Sequence, residues 1–265
     1  MTDAFQLHRG TTPLLLSLPH VGTELPRELQ PQYVPRALAV EDTDWHLHQL
    51  YDFALGLGAS VLTPRYSRYL IDLNRPPDNA PMYPGANNTE LCPTRFFTGD
   101  SLYWEGQAPD ALEINRRRER YWQPYHDAIA VELQRLKSLY GFALLFDGHS
   151  IRSELPWLFP GRLPDLSLGT ASGNSCDSSI RETILDTFAT QKSYSFVCDD
   201  RFKGGYITRH YGRPANSIHA VQLEMCQCLY MEEVQPFRYE NELAWKIIPL
   251  LNKVFRTLLK WRPDA

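Results

Sequence analysis

Short apolar runs rich in β-formers alternate along this chain with longer stretches of helical periodicity, and that alternation restricts it to an α/β sheet with helical layers. Thr12 to Leu18, Ala59 to Thr63, Tyr69 to Leu73, Phe142 to Phe146, Tyr194 to Cys198 and Ile218 to Met225 read as strands. Between them, Glu41 to Gly58 places Trp45, Leu50, Phe53, Ala54 and Leu57 near one helical face and stops at a glycine. Asp110 to Tyr140, broken or kinked at Pro124, Ser178 to Thr190, and Glu240 to Trp261, interrupted by Pro249, are also predicted helical. Two stretches fall outside the pattern: Asn74 to Pro109 and Leu155 to Asn174, both rich in Pro and Gly. Connections longer than about 12 to 15 residues are usually functional, so these are predicted to wall or cover a site. No repeat, low-complexity tract or linker divides residues 1–265, which read as one domain.

The polar residues are informative by position. Leu14-Leu15-Leu16-Ser17-Leu18 runs into Pro19-His20, Tyr69 to Leu73 into Asn74-Arg75, and Ala143 to Phe146 into Asp147-Gly148-His149-Ser150. Ligands of open α/β sheets bind at the carboxyl ends of strands, so several such coincidences on one edge predict a site. Glu224 lies inside the apolar run Val221 to Met225, where a carboxylate is costly unless paired or used. His20 and His149 suit zinc, which in hydrolytic sites commonly takes three protein ligands and a water. A carboxylate third ligand has to come from Glu24, Asp42, Asp44 or Asp147, and spacing does not decide among them. Asp42 or Asp44 alternatively caps the helix that follows.

Arg75 with Asn74, and Arg152, offer planar forks for a substrate carboxylate. Arg201 to Gly212 gathers cations, aromatics and glycines without a helical or strand stripe, as a binding loop would. With 27 Lys and Arg against 31 Asp and Glu, net charge −4 and no basic block, the field of a nucleic-acid binder is missing. Neither a leader segment nor an apolar run of about 18 residues is readable, so no membrane association is expected. The odd, irregular set Cys92, Cys176, Cys198, Cys226 and Cys228 suits reduced thiols of a cytoplasmic protein, and Cys226-x-Cys228 is a weak metal signal. The chain lacks the phosphate-loop, dinucleotide and G-x-S-x-G motifs, leaving Ser150 and Cys92 as minor alternatives for a nucleophile.

In Pro19 to Thr23, Asp42 to His46, Tyr66 to Pro76, Asp147 to Ser153, Gly161 to Thr170 and Arg201 to Gly212 the chain resembles the N-formylglutamate amidohydrolase (formylglutamate deformylase) family of histidine degradation. The resemblance spans nearly the whole chain and implies a zinc carboxypeptidase-like and aspartoacylase-like (phosphorylase/hydrolase-like) fold, a single mixed β-sheet flanked by helices. It also implies hydrolysis of an amide beside a carboxylate in a small dicarboxylate substrate. The wider fold uses a His-x-x-Glu pair and a distant histidine; His20 and His149 match the histidines, whereas Thr23 stands at the glutamate position. The resemblance favours Asp44 as third ligand, with Glu24 as runner-up. It casts Glu224 as general base and Arg68 as the residue polarising the scissile carbonyl. Asn74 and Arg75 become the carboxylate anchor, a second cation comes from Arg152, Arg209 or Arg213, and Tyr211 is a mobile tyrosine. The rival readings are an amidohydrolase for another N-acyl amino acid and a non-catalytic metal or carboxylate binder.

Overall fold

Leu14, Leu15 and Leu16 are all fully buried, yet Leu14 and Leu16 pack into one apolar core and Leu15 into another. A strand buried on both faces belongs to the interior of a sheet covered by helices on both sides. The computed structural model, which describes residues 4–82 and 88–263, has this architecture. Its strands are β1 (Phe5–His8), β2 (Leu14–Ser17), β3 (Ser60–Pro64), β4 (Ala143–Ile151), β5 (Leu166–Gly169), β6 (Phe196–Cys198) and β7 (Ile218–Cys226). They form one mixed sheet in the order β1-β3-β2-β4-β7-β5-β6. β3, β2, β4 and β7 run parallel, β1 pairs antiparallel with β3, and β5 pairs antiparallel with β7 and parallel with β6. This is the single mixed sheet expected.

The helices are α1 (Leu47–Leu50), α2 (Phe53–Gly56), α3 (Ala111–Arg117), α4 (Gln123–Tyr140), α5 (Ser178–Ala189), α6 (Tyr206–Tyr211) and α7 (Asn241–Lys260). The predicted helix Glu41 to Gly58 is only the two short turns α1 and α2, because His46 turns left-handed at φ 61°. Neither Asp42 nor Asp44 caps it. Pro124 falls in the first turn of α4, where its missing N–H costs nothing, and a π-turn over Arg118–Trp122 joins α3 to α4. α7 runs through Pro249 without a break.

Three further expectations change. Tyr69 to Leu73 is no strand: its apolar side chains are buried, but Arg117 Nη1 donates to the Leu70 carbonyl and the Asp72 N–H goes to Leu91. β1 and β5 went unread, the first a half-exposed edge strand and the second four residues inside the Pro- and Gly-rich Leu155 to Asn174. β4 continues through Asp147 and His149 to Ile151, so these polar residues lie in the strand rather than after it. Part of the long connection Asn74 to Pro109, residues 83–87, lies outside the described residues, as do 1–3 of the N-terminal stretch and 264–265. No helix among the described residues is long and apolar enough to cross a membrane.

α7 is held by Phe255, whose ring centroid lies 4.8 Å from that of Phe146, 5.3 Å from Phe53 and 5.6 Å from Tyr51. Phe255→Ala is expected to lower the unfolding free energy by about 3–5 kcal/mol, read from urea denaturation.

Candidate active site

The in-register parallel pairing of β2, β4 and β7 brings four polar side chains to one end of the sheet. Ser17 lies opposite Asp147, and His149 opposite Glu224. Beyond β2 the Leu18 N–H still bonds to Leu62, which directs Pro19-His20 over the same edge. Gly22 then passes so close to Tyr66 that an added Cβ would lie 2.2 Å from its carbonyl oxygen. The Asp44 N–H bonds to the His20 carbonyl, which sets the Asp44 carboxylate against the two imidazoles.

His20, Asp44 and His149 are buried, with ligand atoms within 4.8 Å of one another. His149 Nδ1 is 3.2 Å from His20 Nδ1 and 3.2 Å from Asp44 Oδ2, and His20 Nδ1 is 3.6 Å from Asp44 Oδ2. The outer nitrogens face carboxylates: His20 Nε2 lies 2.7 Å from Asp72 Oδ1, and His149 Nε2 lies 2.9 Å from Asp147 Oδ2. An ionised carboxylate only accepts, so each Nε2 carries the proton and each Nδ1 turns its lone pair inward. Three lone-pair donors facing one another require a positive charge between them. Asp44 Oδ1 beside them is buried without a hydrogen bond, an acceptor left unsatisfied at the same point. Two imidazoles and a carboxylate, each imidazole oriented by an acid behind it, suit a divalent ion such as zinc.

The titration of the cluster follows the same demand. Burial works against the His149 imidazolium, but Asp147 and Asp44 outweigh it and hold its pKa well above the usual histidine range. Burial likewise opposes the Asp44 and Asp72 carboxylates, which their cationic neighbours nevertheless keep below the usual carboxylate range. Glu224 behaves oppositely. Burial pushes its carboxyl up to about 8, with Asp44 and Asp147 adding to the rise and His149 and Arg68 opposing it.

Asn74 binds the site to α6. Its Nδ2 donates to Asp147 Oδ2 at 3.3 Å and lies 3.0 Å from His149 Nε2, while its Oδ1 accepts from the Ile207 N–H at 2.8 Å. Gly205 makes that approach possible, since a Cβ there would sit 2.3 Å from Asn74 Nδ2. Both ends of the Asn74 amide are therefore engaged within the protein. Arg68 is buried, donates from Nη2 to Asp72 at 2.7 Å, has Nη1 3.7 Å from Asp44 Oδ1 and lies over the Phe97 ring. Arg75 is bound through Nε and Nη2 to Thr89.

A cavity of about 260 Å³ opens over the cluster, lined by His20, His149, Glu224, Arg68, Arg75 and Arg201 among others. Thr89 and Phe97 from the first long connection, and Leu158 and Phe159 from the second, complete its walls. The remaining expected residues lie elsewhere. Glu24 is half exposed and paired with Arg65 at 2.8 Å, outside the cluster. Arg152 is outside the lining, held by Asp42 at 2.7 Å and Glu41 at 3.5 Å. Arg209 and Arg213 are also absent from the lining; Arg209 Nε donates to the Gly204 carbonyl and Arg213 Nη1 to the Arg209 carbonyl. Tyr211 packs on α4, its hydroxyl 3.0 Å from His126 Nδ1. Sequence reasoning had no role for Arg201 or Gln222, although Arg201 opens the segment that it took for a binding loop. Ser150 shares a 2.7 Å hydrogen bond with Tyr230, and burial pushes the Cys92 thiol up to about 12, so neither has a base that activates it.

Asp44→Asn is expected to lower zinc affinity about tenfold or more in chelator competition, and Glu24→Gln to leave it unchanged.

Residues 12–231 match the family model described as N-formylglutamate amidohydrolase. The chain is 49% identical over 261 residues to N-formylglutamate deformylase of Pseudomonas putida, covering 98% of this chain and 97% of the relative. It is equally similar to N-formylglutamate deformylase of Pseudomonas aeruginosa, covering 98% of each. Among solved structures, an N-formylglutamate amidohydrolase from Ralstonia eutropha superimposes with a TM-score of 0.78 at 25% identity, over 96% of this chain and 94% of that one. A gene product of Agrobacterium tumefaciens shares the fold, with a TM-score of 0.72 at 17% identity over 97% of this chain and 96% of that one. With most of its length matched by the family model and two relatives at this identity, the chain belongs to the N-formylglutamate amidohydrolase family.

Proposed function

We propose that this chain is a zinc-dependent deformylase that hydrolyses N-formyl-L-glutamate to formate and L-glutamate, acting in histidine degradation in the cytoplasm. The observation that carries the reading is the meeting, in one cavity, of the His20–Asp44–His149 cluster, a high-pKa carboxyl on Glu224 and guanidinium groups. Relatives named for this activity at 49% identity supply the substrate.

His20, His149 and Asp44 would hold the ion, with Asp72 and Asp147 fixing the two imidazoles. When bound, zinc supplies Lewis acidity that polarises the formyl oxygen and acidifies water. Glu224 takes the proton of the attacking water and delivers it to the amide nitrogen as the C–N bond breaks, so formate and the free amine leave together. One carboxyl serves both transfers because burial has brought its affinity for a proton near neutrality. Arg68, pinned by Asp72 and Phe97, offers its charge to the oxygen on which negative charge develops.

A dicarboxylate needs two anchors. Arg75 is the first, and Asn74 acts by holding Asp147 and α6 in place. Arg201, which lines the cavity, donates from Nη2 to the Leu158 carbonyl and lies over the Phe159 ring, is the second anchor, in place of Arg152, Arg209 or Arg213.

Glu224→Gln is expected to reduce kcat by about a hundredfold or more while zinc content and melting temperature stay near those of the parent. Near-parental turnover in that folded, zinc-replete variant would end the general-base assignment. Arg201→Ala is expected to raise KM for N-formylglutamate about tenfold or more and to erase its advantage over N-formylglutamine. If Arg152→Ala does this instead, the second anchor is misassigned.

A further inference from the structure

β7 does not end at Glu224. Two residues on it reaches Cys226, then turns through a short 3-10 segment, Gln227–Leu229, that contains Cys228. The side chain between the two thiols, Gln227, is buried, and its Nε2 donates at 2.9 Å to the carbonyl of Thr43, the residue before Asp44. This bond ties Cys226-Gln227-Cys228 to the segment carrying a cluster carboxylate.

The two thiols differ in their surroundings. Cys226 is buried and its thiol faces the Pro164 carbonyl at 3.3 Å. Cys228 is partly exposed, and Arg162 Nη2 donates to its Sγ at 3.4 Å while also binding Asp165 Oδ1 at 3.0 Å. The charged groups around Cys228 are Arg162, Asp165 behind it, and Glu233, whose Oε1 accepts the Cys228 N–H at 3.0 Å. Hydrogen bonding from Cys226, then Arg162, outweighs burial and Glu233 and draws the Cys228 thiol down to about 7, whereas Cys226 stays far above the usual thiol range. A thiolate held by an arginine beside a second thiol is the arrangement of a reactive and a resolving cysteine.

We propose that Cys226 and Cys228 are a reversible oxidation site, closed to a disulfide by a hydroperoxide, that controls the active site through Gln227 and Thr43. The Cys228 thiolate attacks the peroxide; the O–O bond breaks, its distal oxygen leaves as water or an alcohol after protonation, and a sulfenic acid forms. The Cys226 sulfur then attacks that sulfur, the S–S bond forms and the sulfenic oxygen departs as water. Two electrons pass from the two sulfurs to the peroxide. Closure constrains the backbone on both sides of Gln227, and through its bond to Thr43 that constraint reaches the segment carrying Asp44.

The test uses the full metal-loaded protein with hydrogen peroxide, read by intact mass, peptide mapping and zinc retention. Oxidation is expected to remove two hydrogen masses from the peptide holding Cys226 and Cys228, lower activity and zinc retention severalfold, and reverse with dithiothreitol. Cys226→Ser is expected to leave a dimedone-trappable sulfenic acid at Cys228, and Cys228→Ser to resist loss of activity. Iodoacetamide labelling of Cys228 should rise through pH 7, with Arg162→Gln moving that midpoint upward. Oxidation at Cys92, Cys176 or Cys198 with this peptide still reduced would overturn the site. A disulfide here with zinc retention and activity unchanged would overturn the coupling. The mass and labelling readouts require no substrate, so they stand apart from the assignment of N-formylglutamate.

Discussion

Parallel pairing of β4 with β7 across Ala143–Ile151 fixes which side chains can meet at the sheet edge. In that register His149 faces Glu224 and Asp147 faces Gln222, while β2 on the other side leads to His20. A slip of one residue would turn Glu224 to the opposite face and separate it from the cluster, because side chains alternate along a strand. On β7, Val221, Leu223 and Met225 sit in an apolar core while Gln222 and Glu224 alternate with them toward the cavity, so such a slip would bury both polar side chains among apolar ones. The chemistry is therefore held in place by apolar packing that takes no part in it.

On that frame, acids do two different jobs. Asp72 and Asp147 lie behind the imidazoles and share their charge with Arg68 and with the Asn74 amide. Asp72, bonded to Arg68 and His20, is held below the usual carboxylate range, whereas burial, with Asp44 and Asp147 adding to it, pushes Glu224 up to about 8. The division is one of surroundings: all three belong to strand or turn segments with buried neighbours.

The parallel interior strands were legible because burial on both faces makes them apolar throughout. β1 and β5 were not, being short, half exposed or set among turn residues. Tyr69 to Leu73 misled for the converse reason: buried apolar side chains say nothing about backbone pairing when side chains such as Arg117 satisfy the carbonyls. At the site, the positions of His20, His149 and Glu224 stood out as polar residues in apolar company. Asp44 did not, since its approach to His149 spans 105 residues of sequence and came only from the family resemblance. The cations were read least well. Arg152 and Arg201 look alike as residue types, and only the fold pairs one with Asp42 and sets the other in the cavity wall against Leu158 and Phe159.

α6 is six residues long, too short to stand on its own backbone bonds. Gln222 Oε1 receives the Gly205 N–H and Asn74 Oδ1 the Ile207 N–H, so the helix owes its start to two polar side chains of the cavity. Elsewhere a polar site is commonly an island of instability that a protein tolerates for the sake of activity. Here the same groups are masonry. Stripping this cavity of its amides in search of a sturdier protein would loosen the wall it meant to strengthen.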